Sequence, residues 1–184
     1  MPLVKEVRAE QWGDNRWFMP QAFSNRDLGY FSALTNVRTL KIQRMEVYRF
    51  VLDIEHYFGH LSPTLRSIKL FYPSCTPLQL SHFLSFFSNL DDIEIIGVNR
   101  HIPNPTIPNP ELVPFPAPRL QGRLTHHGFD WVETWTYLIN LYGGLHFRHL
   151  DLCGGVGCVP VLFEACAETL ETLTLSAAPH PARE

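Results

Sequence analysis

The sequence contains few charged residues and no large excess of either sign. Of its 184 residues, 15 are Lys or Arg and 18 are Asp or Glu, so the net charge is −3 at neutral pH. A chain with this balance has no overall basic field that would hold a nucleic acid or an acidic membrane surface. We therefore expect no nucleic-acid partner and no membrane partner. Hydrophobic residues make up 45% of the chain, which is enough to bury the core of one ordinary domain.

A secretory signal and a membrane-spanning segment are also missing. The first ten residues mix charged and apolar side chains and lack the apolar stretch that a signal peptide needs. Residues 70–90 carry no Asp, Glu, Lys or Arg, but their Pro, Ser, Gln and His residues make them too polar for a spanning helix. The sequence thus predicts an intracellular protein, cytoplasmic or nuclear, whose four cysteines are reduced thiols.

One spacing, apolar-x-x-apolar-x-apolar, recurs along the chain. Its five clear copies begin at Val37, Leu65, Leu90, Phe147 and Leu170. A degenerate sixth copy lies around Leu120, Gly122 and Leu124. The resulting period of about 27 residues is typical of stacked strand-helix repeats.

The segments within each period predict alternating strands and helices. Each copy of the spacing ends in alternating apolar and polar residues, as in Thr39–Gln43, which is the pattern of a strand with one buried face. Helical spacing predicts a helix over 47–61 and three more that begin near Thr76, Asp130 and Pro160. The order Thr76-Pro77-Leu78-Gln79 also has the cap residue, the proline and the glutamine of a capping box.

Charged residues at the strand centres decide between α/β architectures. They are Lys41, Lys69, Glu94 and Asp151. The strands of a doubly wound sheet are apolar on both faces, and burying these charges unpaired would cost several kcal/mol each. Six units are too few for an eight-unit barrel. We therefore predict an α/β fold, an open leucine-rich-repeat solenoid of about six irregular repeats, with a parallel sheet on the concave face and helices on the convex face.

The chain resembles F-box-type leucine-rich-repeat proteins, above all the large, mostly uncharacterised set found in basidiomycete fungi. The likeness covers roughly residues 34–176 and rests on GHLSPTLRSIKL (59–70), SCTPLQLSHFLSFFSNLDDIEI (74–95) and CAETLETLTL (166–175). It implies a curved repeat domain that recruits a protein to a ubiquitin ligase through a separate N-terminal F-box. The F-box signature of the Leu-Pro-x-Glu type is not found before residue 34.

The predicted organisation has three parts. Residues 1–33 form an N-terminal flank that could cap the first repeat, residues 34–178 form the repeat domain, and residues 179–184 form a tail. Within the repeat domain, residues 101–118 are too rich in proline for a helix and predict a loop over the convex side. The alternative for this loop is a proline-motif ligand for a partner domain.

The side chains that alternate with the buried ones predict a partner-binding site on the concave face. We expect a non-enzymatic scaffold that binds a protein partner there without a cofactor or a metal. The alternative from the resemblance is the substrate-recognition part of an F-box ubiquitin ligase receptor. The predicted site consists of Lys41, Gln43, Lys69, Phe71, Asp92, Glu94, Arg123, His127, His149 and Asp151.

A second alternative is a metal-dependent or hydrolytic enzyme that uses a His and Cys cluster near residues 146–158. The candidate ligands are His126, His127, His146, His149, Cys153 and Cys158. The Cys-x4-Cys spacing is wider than that of a usual zinc knuckle, so ordinary positions in a repeat explain these residues more simply.

The C-terminal end of the repeat domain predicts self-association. Only nine residues, two of them proline, follow Leu175, too few for a covering helix. We expect the last strand to present an uncapped edge that can pair with another chain.

Overall fold

Seven parallel strands form one sheet in the computed structural model. The model describes residues 5–10, 36–43, 58–73, 75–97, 120–128, 135–136, 139, 145–154 and 157–177. Each strand pairs with the next one along the chain, so the strand order in the sheet is the order in the sequence. The strands are β1 (Glu6–Glu10), β2 (Thr39–Gln43), β3 (Ser67–Phe71), β4 (Asp92–Ile96), β5 (Arg123–Gly128), β6 (His149–Gly154) and β7 (Thr172–Ser176).

This order confirms the predicted α/β class and excludes the doubly wound alternative. A doubly wound sheet reverses its strand order at a switch point, and no reversal occurs among the described strands. The six predicted strand segments are all present as β2 to β7.

The sheet begins earlier than the sequence suggested. Strand β1 lies in the segment predicted as a flank, and it pairs in parallel with β2, with Val7 opposite Leu40 and Ala9 opposite Ile42. Val4, Val7 and Ala9 follow the recurring spacing, but three charged residues and a small alanine weaken the strand pattern. The remainder of the flank, residues 11–35, lies outside the described residues.

Side chains alternate between a buried face and a face that is open to solvent. In β2, Leu40 and Ile42 are buried while Thr39, Lys41 and Gln43 are partly exposed. Strands β3 and β4 repeat this alternation residue for residue. One face of the sheet therefore carries the hydrophobic core, and we call the other the open face.

Two described helices belong to the connections between strands. Helix α1 (Pro77–Ser85) connects β3 to β4, and helix α2 (Cys158–Cys166) connects β6 to β7. Of the other two predicted helices, the one over 47–61 lies mostly outside the described residues, and the one that begins near Asp130 is described as helical only at Trp135, Thr136 and Ile139. The proline-rich loop 101–118 also lies outside them.

The capping box predicted for α1 is present. The Gln79 amide donates to Thr76 Oγ1 at 3.3 Å, and the Thr76 amide donates to Gln79 Oε1 at 2.9 Å. These two bonds satisfy backbone donors that the first turn of a helix leaves unpaired.

Loss of this cap has a moderate expected cost. We expect Thr76→Ala to lower the free energy of unfolding by about 1 kcal/mol, because the alanine cannot accept the Gln79 amide. Thr76→Ser keeps the hydroxyl and should melt in urea close to the wild type. Equal losses in both variants would contradict the capping role.

Strand β5 departs from the regular pattern. Its inward positions are Leu124 and His126, which align with Ile93 and Ile95 of β4, so a histidine takes the place of an apolar residue. The His126 ring is buried edge-on against Trp135, with ring centroids 5.7 Å apart. A Cβ at Gly122, just before the strand, would overlap the Asp92 carboxylate, which explains why glycine stands there. The degenerate sixth copy of the recurring spacing thus corresponds to strand β5, which contacts the core partly through the ring of His126 against Trp135.

Candidate functional site

The register of the sheet arranges the open face into three rows that run across the strands. All strand pairs are parallel and share one register. Residues at the same register position of neighbouring strands therefore lie side by side, about 4.8 Å apart. The amino-terminal row is Glu6, Thr39, Ser67, Asp92, Arg123, His149 and Thr172. The middle row is Arg8, Lys41, Lys69, Glu94, Thr125, Asp151 and Thr174. The carboxyl-terminal row is Glu10, Gln43, Phe71, Ile96, His127, Cys153 and Ser176.

The middle row changes sign along the sheet. Its first three members are the cations Arg8, Lys41 and Lys69, and the fourth is Glu94. Lys69 Nζ lies 2.8 Å from Glu94 Oε2. A partly exposed pair of this kind contributes roughly 0 to 1 kcal/mol, so it orients the two side chains more than it stabilises the fold.

Lys41 interacts with an aromatic ring. Its Nζ lies 4.6 Å from the centroid of the Phe71 ring, within the range of a cation–π contact. Within the described residues, Lys41 has no carboxylate partner. The ammonium group therefore remains available to an anionic group of a partner.

An aromatic and apolar patch occupies the carboxyl-terminal ends of β3 and β4. It consists of Phe71, Tyr72 and Ile96, and we call it the Phe71 patch. Phe71 and Ile96 are adjacent in the register and only partly buried, and Tyr72 is about half exposed. Side chains of this type, when exposed on a folded surface, are characteristic of binding sites.

Gly97 permits the position of Tyr72. Gly97 has φ of +67°, and a Cβ at this residue would overlap the Tyr72 ring. Tyr72 itself has φ of +53°, an uncommon conformation for an aromatic residue. Two backbone bonds hold the region, from the Tyr72 amide to Ile96 O at 2.8 Å and from the Gly97 amide to His127 O at 2.7 Å. The ring therefore lies across a backbone that has no side chain beneath it.

A shallow polar depression lies beside the Phe71 patch, toward the amino-terminal row. Its volume is about 340 Å³, and its walls hold both signs of charge. Inside it, the Arg123 amide donates to Asp92 Oδ1 at 2.7 Å. The lining residues are Ser67, Lys69, Asp92, Ile93, Glu94, Arg123, Thr125 and His149.

Two histidines extend the polar surface beyond the depression. His127 Nε2 lies 4.0 Å from Asp151 Oδ1 on the neighbouring strand. His149 lines the depression, and its Nδ1 is shielded from solvent without a hydrogen-bond partner among the described residues. The open face thus offers donors and acceptors on several strands at once.

All ten residues of the predicted site lie on the open face, in the three rows above. The rows, the depression and the Phe71 patch also contain residues that the sequence analysis did not include, among them Arg8, Tyr72, Ile96, Ser67 and Thr125. Arg8 was missed because β1 was placed in the flank. Tyr72 was missed because it follows strand β3, where the alternation of the strand ends and the backbone adopts a positive φ.

The proposed His and Cys cluster is divided by the sheet. His126 points into the core, His127 lies on the open face, and His149 and Cys153 lie on the same strand but in the first and last rows. Four residues along a strand separate these two by about 13 Å. Among the described residues, no group of three or more His, Cys, Asp or Glu side chains is arranged to hold a metal ion.

Cys75, Cys153 and Cys166 are free thiols. Burial raises the pKa of Cys75 to about 12. Burial also raises the pKa of Cys166, although a hydrogen bond from the Phe147 backbone opposes this shift. Because the thiolate is the reactive form, both act as small apolar side chains.

Comparisons with protein-family models, with curated proteins and with solved structures find no match to this chain. Within the part of the chain that the structure describes, no helix has the length and apolar character needed to cross a membrane.

Proposed function

We propose that the chain is a leucine-rich-repeat solenoid that acts as a non-enzymatic scaffold and binds a protein partner on its open, concave face. The observation that carries this proposal is the combination of three aligned polar rows with the Phe71 patch. A parallel sheet with one buried and one open face is the arrangement that repeat proteins use for extended binding surfaces.

The Phe71 patch supplies the apolar contact that a protein partner would bury. Most binding energy in protein interfaces comes from a few aromatic or arginine side chains surrounded by polar residues. Phe71 and Tyr72 are such side chains, and the depression and His127 provide the polar surroundings. We therefore expect Phe71 to contribute most to binding.

The charges of the middle row supply orientation and selectivity. Lys41 is the better residue for testing this role, because a change at Lys69 would also remove the partner of Glu94. Reversal at Lys41 leaves no described carboxylate unpaired. Its effect should be a slower association and a weaker dependence on salt.

The test is affinity capture with the wild-type chain and two matched aromatic truncations. Phe71→Ala removes the centre of the patch, whereas Phe163→Ala removes a half-exposed ring from α2, away from the open face. We expect a partner captured by the wild type to bind at least tenfold more weakly to Phe71→Ala, a loss of about 1.4 kcal/mol or more, and normally to Phe163→Ala.

The Lys41→Glu variant forms a second, independent arm of this experiment. Weakened binding of the same partner would extend the site along the middle row. A partner that binds both Phe71→Ala and Lys41→Glu as tightly as the wild type would contradict the open face as the binding site.

A further inference from the structure

The charge of the open face changes sign beside the Phe71 patch, between β3 and β4. On β2 and β3, the described open-face residues include Lys41 and Lys69 and no acidic residue. On β4, they include Asp92 and Glu94 and no basic residue. A partner that covers the Phe71 patch therefore contacts a basic surface on one side and an acidic surface on the other.

The acidic side is already bound by groups of the chain itself. The Glu94 carboxylate forms the ion pair with Lys69, at 2.8 Å. The Asp92 carboxylate accepts the backbone amide of Arg123 at 2.7 Å. A basic residue of a partner would have to compete with these two contacts.

The basic side carries a cation without a counterion. Lys41 lies beside Lys69 in the register, and like charges on adjacent strands destabilise a sheet. The Lys69 ammonium group contacts Glu94, whereas the Lys41 ammonium group lies over the Phe71 ring. No carboxylate of the described residues forms an ion pair with Lys41. A partner's carboxylate could therefore bind Lys41 without displacing an existing ion pair.

The contact between Lys41 and Phe71 also sets the spacing of the groups that a partner must present. The Lys41 Nζ atom lies 4.6 Å from the centroid of the Phe71 ring, so a carboxylate bound to Lys41 lies next to the group that covers the ring. In an extended segment, residues two positions apart point to the same side and are separated by about 6.6 Å. An acidic residue two positions from a large apolar residue fits this arrangement.

We propose that the partner binds the open face through an extended segment with this spacing, in which the acidic side chain pairs with Lys41 and the apolar side chain covers the Phe71 patch. The inference rests on the proposed function, because it assumes that a protein partner binds the open face. It adds the chemistry of that partner. Covering the patch excludes water from the neighbouring ion pair, and the lower local dielectric strengthens the attraction.

The first test is a selection of random dodecapeptides, displayed on phage, against the immobilised full chain. We expect the enriched peptides to carry an aspartate or glutamate two positions from a large apolar or aromatic residue. Enriched peptides without an acidic residue would overturn the proposal. A selection that enriches no binding peptide would also overturn it.

A double-mutant cycle tests the contact with Lys41 itself. The probes are one enriched peptide and its analogue with the matching amide, glutamine or asparagine, in place of the acidic residue. The wild type should bind the acidic peptide about threefold to fivefold more tightly than the amide analogue, as expected for a partly exposed ion pair. Lys41→Gln should bind both peptides alike. A preference for the acidic peptide that survives in Lys41→Gln would overturn the proposal.

Lys5→Gln is the matched control for the overall charge of the chain. Lys5 is exposed and precedes β1, outside the three rows of the open face. This variant removes the same charge as Lys41→Gln and should keep the preference for the acidic peptide. Equal loss of the preference in both variants would overturn the pairing with Lys41, because it would assign the preference to the net charge.

Phe71→Ala distinguishes failure of this inference from failure of the proposed function. Peptides that bind the wild type and lose affinity for Phe71→Ala, but show no preference for an acidic residue, would overturn the inference and leave the open face as the binding site. Enriched peptides that bind Phe71→Ala as tightly as the wild type would contradict the open face itself, and with it the proposed function.

Discussion

Replacing Ile68 by alanine is expected to lower the free energy of unfolding by about 2 to 5 kcal/mol. Ile68 is fully buried at the centre of the sheet, between Leu40 of β2 and Ile93 of β4. The truncation removes buried carbon atoms and leaves a cavity that two neighbouring strands cannot both close. Because a domain of this size is stable by roughly 5 to 15 kcal/mol, urea unfolding will measure the loss readily.

Lys69→Ala is the matched control, because Lys69 is the next residue on the same strand and points to the open face. Its only carboxylate contact in the described structure is the exposed pair with Glu94. We expect a loss of roughly 0 to 1 kcal/mol. Comparable losses at Ile68 and Lys69 would mean that both faces of the sheet are buried, in conflict with the open face.

Replacing Phe83 by alanine is expected to cost about 3 to 5 kcal/mol. The Phe83 ring is fully buried on α1 and packs edge-on against two other rings, Phe58 at 5.9 Å and Phe87 at 5.4 Å between centroids. Its removal takes away a large apolar area and two aromatic contacts that each add to the gain from burial. Thermal and urea unfolding should both show the loss.

Phe163→Ala tests whether this cost comes from burial. The residue lies on α2, the other described helix, but its side chain is about half exposed. We expect a change within roughly 0.5 kcal/mol, as for ordinary surface positions. A large loss at Phe163 would contradict the half-exposed position of this ring.

The sequence predicted the features that depend on short-range patterns. Alternation of apolar and polar residues identified strands β2 to β7 and placed the ten residues of the predicted site opposite the core, because a strand turns successive side chains to opposite sides. The Thr76 capping box was predictable for the same reason, since its two hydrogen bonds join residues three positions apart. The ten residues of the predicted site lie on the open face because this face is the complement of the buried one, and their role in binding a partner stays a prediction.

Features that depend on weak patterns were harder to predict. Strand β1 has only Val7 and Ala9 as apolar residues, in register with Leu40 and Ile42, so its apolar signal is small, and pairing with β2 stabilises it. His126 was considered as a metal ligand because residue type suggested it, whereas its place on β5 turns it into the core beside Trp135. In both cases contacts with another element of the fold outweigh the local preference.

By itself the sequence determined the α/β class, the parallel strand units and the division of each strand into a buried and an open side, because period and spacing are local properties of the chain. Only the tertiary structure decided which open-face residues meet. The ion pair of Lys69 with Glu94, the contact of Lys41 with Phe71 and the position of Tyr72 over Gly97 all join different strands. Such contacts depend on the register of the sheet, which is fixed when the whole set of strands packs its buried side at once.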